Sequence, residues 1–364
     1  MPWGRQVFSR SRLVALADHV SRTGAVRLPA PEPARPVLLF YDGFELRATE
    51  DRLAQAASRL RGAIRYLKRG IEGVQPATGL YVAFISLVRA LRASGIEVRV
   101  NDFAFARAHP ELPVGMFGYG PVLDWLSLPN PKVLGPGSFG DPKRFGALSR
   151  HKSVKAVIQA CDWYREYHRP YCADNLVTWP VGIDVERYAD ASADDKTIDV
   201  LIYDKIRWNR PDAWDNVMSP FLFELQRRGL TYKFLLYGYH RHSKYVRLLR
   251  KARSMAFICE HESQGLACLE ALSMNVPVFA WDEGRLVDPC EQPFASPGLA
   301  VTSVPYFDDR CGLRFKGETV AEDFSAFWST LSGFRPRDYI IETLTPGQCA
   351  ERYLAIYDRV ATLR

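Results

Sequence analysis

The chain of 364 residues has no apolar run near the roughly 20 residues that a membrane-spanning helix needs. It has no CxxC pair, and its seven cysteines, an odd number, are spread from Cys161 to Cys349. That spacing argues against a paired-cysteine metal or dithiol motif and suits buried thiols in a reducing compartment. Its first stretch, MPWGRQVFSRSRLVALADHV, lacks a clean apolar core because arginines interrupt it, so a secretory leader is not expected. The sequence shows no internal repeat. One biased segment, LPAPEPARP (Leu28 to Pro36), reads as a linker that sets off the first thirty residues.

What is present is an ordinary globular composition, 47% hydrophobic and 24% charged, in a chain long enough for two domains. The net charge is +7. A surplus of Lys and Arg can serve nucleic acid, an anionic membrane face or phosphorylated small molecules. Here it is scattered, chiefly in RLRGAIRYLKR (Arg59 to Arg69) and HRHSKYVRLLRKAR (His240 to Arg253). Aromatic residues do not interleave these clusters as a base-stacking platform requires, which leaves no nucleic-acid motif. His240 and His242 could suggest a metal, but no third ligand is in view and they read as a surface loop.

Short continuous apolar runs alternate with helical patterns. VLLFYDG, IEVRVND, KVL, SVKAVIQAC, NLVTWPVGID, TIDVLIYD, YKFLLYGY, MAFICE, VPVFAW and GLAVTSV read as buried strands. Strands of that kind imply parallel sheets covered on both faces, and their number exceeds one compact sheet. The expectation is an α/β chain of two doubly wound, Rossmann-like domains. The expected segments are an extension and linker (1–36), a first domain (37–190), a second domain (191–345) and a final helix (346–364).

Within CEHESQGLACLEALSMNVPVFAW (Cys259 to Trp281), a strand, a turn, a helix and a strand follow in order. The amides opening that helix, near Gly265 and Leu266, lack intrahelical partners and sit at its positive end, a ready anion site. Glu262 lies just outside it and Glu270 farther along the helix. A ligand with a diphosphate on the helix end, a polyhydroxylated group on one side and a ribose on the other would satisfy all three, which describes a nucleotide sugar.

The pattern Glu262, Gly265, Leu266, Leu269, Glu270, Ala271, Pro277, Val278 resembles the EX7E motif of retaining glycosyltransferases with the GT-B fold, in particular the large family 4. Ser263 and Gln264 replace a small and an aromatic residue of that pattern, and Asn275 replaces its glycine. WPVGIDVERY (Trp179 to Tyr188) and TGLYVAFISLVRALRASGIEVRV are similar to two further segments of the family, with Gly182, Asp184 and Gly79 in matching places. The resemblance implies two domains facing a central cleft, a final helix that crosses back to the first domain, and transfer of a sugar from a nucleotide diphosphate sugar to a glycan or lipid-linked acceptor, with retention and without a metal or other cofactor. It gives Glu270 the ribose hydroxyls and Glu262 the donor sugar, with Gly265, Leu266 and Ser263 beside the donor. Lys205 with Arg207 or Arg210 would grip the diphosphate, and Gly79 would lie on the acceptor side. Where relatives carry a histidine, this chain has KVLGPGSFG, so Gly137 or Ser138 would act in its place. The expected location is the cytoplasm, with peripheral contact at the anionic inner membrane face through the basic helix Asp51 to Arg69.

Two other readings remain at this level. Gly135, Gly137 and Gly140 form a GxGxxG with Asp162 at the distance of a ribose-binding acid, as a nicotinamide-dependent oxidoreductase would require. A non-enzymatic basic binding module is the other.

Overall fold

The computed structural model describes residues 35–72, 74, 77–118, 127–137, 141–191 and 196–362. Eleven strands are present among them. The first sheet holds β1 (Val37–Asp42), β2 (Val98–Val100), β3 (Val114–Gly118), β4 (Lys132–Gly137), β5 (Val154–Gln159) and β6 (Leu176–Thr178), in the order β2-β1-β3-β4-β5-β6. The second holds β7 (Ile198–Lys205), β8 (Tyr232–Leu236), β9 (Ala252–Cys259), β10 (Val278–Trp281) and β11 (Gly312–Phe315), in the order β11-β10-β9-β7-β8. All pairings are parallel. Every residue of β1 is buried, as its unbroken VLLFYD run requires of a strand covered on both faces. The fold is α/β with two parallel, helix-covered sheets, the GT-B arrangement.

Six helices bear on the site: α1 (Arg52–Ile71), α2 (Gly79–Ala93), α3 (Asp162–His168), α4 (His242–Lys251), α5 (Leu266–Ser273) and α6 (Pro346–Thr362). Helix α6 follows the second sheet in sequence yet packs Ala350, Tyr353, Ile356, Tyr357 and Val360 into the core of the first. The Tyr357 hydroxyl accepts from the Leu38 amide at 2.9 Å, and Trp179 Nε1 donates to the Cys349 carbonyl at 2.7 Å. At the start of α6 a Cβ on Gly182 would lie 2.6 Å from Pro346 Cα, a backbone contact that cannot move aside. Gly182→Ala should therefore destabilise the chain by about 1–3 kcal/mol, the usual cost of overpacking. A denaturant midpoint equal to that of the parent would show that this backbone crossing is loose.

Three details differ from the sequence expectations. GLAVTSV contains no strand; it is a loop in which Thr302 Oγ1 donates to Asp282 at 2.6 Å and the Thr302 carbonyl accepts from the Glu262 amide. Conversely, VGMFG and GLRF are strands β3 and β11, although glycine lowers their intrinsic preference: β3 is enclosed between β1 and β4, and β11, at the sheet edge, pairs with β10 and sets Phe315 into the core. Asn275 adopts φ 56°, just past the end of α5. Asparagine tolerates this left-handed conformation nearly as well as glycine, which explains its place in the motif.

Candidate functional site

In a parallel sheet, ligands gather at the carboxyl ends of the strands. The register sets Lys205, the last residue of β7, opposite Cys259, the last of β9. Both strands thus end at one level, and Glu262, three residues beyond Cys259, falls against Lys205. Lys205 Nζ and a Glu262 carboxylate oxygen form a salt bridge, and Arg207 Nη2 approaches the same oxygen at 3.7 Å. Lys205 is therefore not an exposed loop cation. Its side chain is 13% exposed and that of Glu262 11%, so the pair is largely withdrawn from water. Burial would raise the Glu262 carboxyl, but Lys205 and Arg207 outweigh it and hold it below its ordinary range. Burial would likewise lower Lys205, and Glu262 reverses this and holds it above its ordinary value. Both partners stay ionised at neutral pH.

The surrounding atoms fix this cluster. The buried Glu260 carboxylate accepts from the amides of Arg207 and Trp208, both at 2.9 Å, clamping the loop after β7. Arg207 Nη2 donates to the His261 carbonyl. From the first sheet's side, Trp163 in α3 donates its Nε1 to the Glu262 carbonyl at 2.8 Å. His261, buried between Trp163 and a stacked Trp208, is pushed down to about 4 by burial and then by Arg207, so it is neutral. Its Nε2 is buried without a hydrogen-bond partner.

Gly265 opens α5 with φ 69°, the left-handed conformation that glycine adopts without strain, and no side chain caps this end. Glu270 lies one and a half turns further on. Tyr188 and His242 gather round it: the Tyr188 hydroxyl bonds His242 Nε2 at 2.9 Å, and that nitrogen lies 3.7 Å from Glu270 Oε2. Burial pushes the Glu270 carboxyl up to about 8 and His242 down to about 4, so the two are neutral neighbours, not an ion pair, at pH 7.

These groups line one cleft of about 1400 Å³ between the two sheets. Gly79, Gly137, Lys205, Arg207, Glu262, Ser263, Gly265, Leu266 and Glu270 all face it. Gly79, the first residue of α2, looks across at Leu266: a Cβ there would come 3.8 Å from Leu266 Cδ1. Leu266 packs against the cores of both halves, and the Val181 amide donates to Gln264 Oε1 at 3.2 Å, so two of the sequence motifs meet here. Arg210 is not in the cleft lining. Its guanidinium makes a two-pronged pair with Asp204, one contact at 3.1 Å, and is committed there. Ser138 and Gly140 lie outside the described residues. Gly135 and Gly137 are strand residues of β4, not a turn between strand and helix, so the dinucleotide loop is not built at these glycines.

Sequence reasoning missed Trp163, Tyr188 and His261, which reach the site only through tertiary contact. It also misplaced His240 and His242. His240 is buried, with Nδ1 2.9 Å from the Leu236 carbonyl and its ring against Tyr203, and His242 is partly buried beside Glu270. The aromatic density of YGYHRHSKY was the available signal. Among the described residues no group of three or more His, Cys, Asp or Glu is arranged to hold a metal ion.

No family model matches the chain, and no curated protein matches it. Solved structures do match its fold. A sucrose-phosphate synthase from Thermosynechococcus elongatus aligns with a TM-score of 0.59 at 13% identity, over 90% of this chain and 99% of that one. AviGT4, a glycosyltransferase involved in avilamycin A biosynthesis, aligns at 0.54 and 14% identity, over 90% and 98%. The lipopolysaccharide outer core galactosyltransferase WaaB aligns at 0.50 and 9% identity, over 89% and 99%. The chain is similar to these proteins in fold across nearly their whole length.

Proposed function

We propose that the protein is a glycosyltransferase that moves a sugar, with retention, from a nucleotide diphosphate sugar to an acceptor hydroxyl. The observation that carries this reading is the convergence on one cleft wall of Lys205, Arg207, Glu262, the uncapped start of α5 and Glu270. A fold shared with enzymes of that kind supports it.

In the reaction the bond from the anomeric carbon to the diphosphate oxygen breaks, the acceptor oxygen bonds to that carbon, and the hydroxyl proton leaves with the diphosphate. Negative charge grows on the departing oxygens. Fixed cations and helix amides that need no reorganisation are the groups that stabilise such charge. Lys205 and Arg207 supply the cations, and Glu262 holds both in place while facing the donor sugar. Glu270, at the far side of α5, takes the ribose hydroxyls. Gly79 and Gly137, from the first sheet, line the opposite wall, where the acceptor enters. A panel of nucleotide sugars tests the reading by thermal shift and hydrolysis. The matching donor at 100 times its dissociation constant should add roughly 2.7 kcal/mol of stability. Stabilisation by a nicotinamide dinucleotide and by no nucleotide sugar would replace this reading with the oxidoreductase one.

A further inference from the structure

Helix α1 is attached to the protein by the face that a sequence reader would leave in water. Ser58 Oγ accepts from the Arg47 amide at 2.8 Å, Gln55 Nε2 donates to the Thr49 carbonyl at 2.6 Å, and Arg65 lies over the Phe44 ring at 4.7 Å. Gly62 lies so near the Glu45 carbonyl oxygen that a Cβ would sit 2.4 Å from it. These residues share the polar side of the helix. The opposite side carries Leu53, Leu60, Ile64, Leu67 and Ile71, and all point to solvent with exposures of 82, 63, 56, 66 and 84%. Their spacing of seven, four, three and four residues makes one continuous stripe along a helix roughly 30 Å long at 1.5 Å per residue.

An apolar stripe of that length turned to solvent needs an occupant. From residue 52 to 71 the helix has six basic residues and no acidic one. Arg61 and Lys68 flank the stripe on one side and Arg59 on the other, all exposed, on stems long enough to carry their charges to a surface beneath the apolar row. A second copy of this chain would bring the same charge face to face with itself. Residues 1–34 carry five arginines against two acidic residues and are no better a partner. An anionic bilayer matches both halves of the pattern, apolar residues for the acyl boundary and cations for the headgroups. The end of α1 also borders the cleft, by a face beside the stripe. Tyr66 and Gly70 at the end of α1 line its mouth together with Arg89, Arg247 and Arg250, and Arg241 Nη2 donates across it to the Gly70 carbonyl at 2.6 Å.

We infer that α1 is a membrane-docking helix that lies in the surface of an anionic bilayer and opens the cleft mouth toward it. This goes beyond the sugar-transfer reading and does not depend on it. An acceptor would then come from the lipid surface.

The test is flotation of the full chain with vesicles of phosphatidylglycerol and phosphatidylcholine, and with phosphatidylcholine alone. The parent should float with the anionic vesicles only, and less as salt is added. Arg61→Gln with Lys68→Gln should weaken binding on the order of 30-fold, from about 1 kcal/mol per cation at the surface. Leu60→Ser, Ile64→Ser and Leu67→Ser together should weaken it by roughly 100-fold or more. These side chains are exposed, so the thermal midpoint should not fall. Several results would overturn the inference: no flotation of the parent, equal binding to neutral vesicles, an unaffected triple variant, or a parent dimer that the triple variant converts to monomer. Nucleotide affinity of the same samples is read separately, so loss of lipid binding with nucleotide binding intact counts against α1 alone.

Discussion

Lys205→Met is expected to cost both turnover and stability, and by separable amounts. Because the lysine is buried against Glu262, removing it leaves a carboxylate whose remaining cation, Arg207, is 3.7 Å away. Breaking one side of such a pair costs about 3–5 kcal/mol, and Arg207 should keep the loss near the lower end. Turnover should fall on the order of 10²–10³-fold, as when a fixed charge-stabilising group is removed from a reaction site. Lys205→Met combined with Glu262→Gln separates the effects. The double change should recover much of the stability, since the buried carboxylate is gone and Arg207, which loses it, is partly exposed and keeps its bond to the His261 carbonyl, while turnover stays low. Recovery of turnover with stability would reduce the pair to a structural role. Since Glu262 is held below the ordinary carboxyl value and Lys205 above the ordinary amine value, the pair contributes fully across the neutral range. That contribution fades as pH falls through the depressed carboxyl value, or rises through the elevated amine value.

Glu270 should behave with the opposite sign. An unfolded carboxyl ionises near 4.5, whereas burial pushes this one up to about 8. Between those values the folded chain holds a proton that the unfolded chain has lost, so raising the pH favours unfolding. His168, His242 and His261, all pushed down to about 4, act in the reverse direction, chiefly below the ordinary histidine value of 6.5. The window from pH 6.5 to 8 isolates Glu270 only as a difference between two chains, because the tail of the histidines and Lys132, pushed down to about 8 by burial, act in both. Across it the parent should lose about 2 kcal/mol that Glu270→Gln does not, at 1.36 kcal/mol per pH unit. Denaturant titrations of both chains at the two ends of the window check this, and parallel slopes would contradict it. In the proposed ribose site, Glu270→Ala should also weaken nucleotide binding by roughly 0.5–1.5 kcal/mol for each hydrogen bond lost, the worth of a bond between uncharged groups. Calorimetry showing unchanged affinity in a folded Glu270→Ala protein would remove Glu270 from the nucleotide site.

By itself the sequence determined the parallel α/β class, since runs such as VLLFYD and IDVLIYD are apolar throughout and only a strand buried on both faces tolerates that. It also determined the strand, turn and helix around Glu262 and Glu270, because Gly265 and the leucine spacing of α5 are local signals, read within a dozen residues. Tertiary structure alone decided which cations meet the carboxylates. Lys205, Arg207 and Arg210 look equivalent along the chain, yet the β7–β9 register brings the first two to Glu262 and leaves Arg210 with Asp204. Trp163, nearly a hundred residues from Glu262, reaches it only because α3 crosses the cleft edge. The orientation of α1 was decided in the same way. Its two faces are plain in the sequence, but which one turns inward depended on a loop, residues 43–50, that offers backbone carbonyls, an amide and the Phe44 ring to the polar face and no apolar surface to the stripe. Periodicity fixes a helix and its faces. What each face meets is set by the contact surface of elements distant in sequence, and no local pattern encodes it.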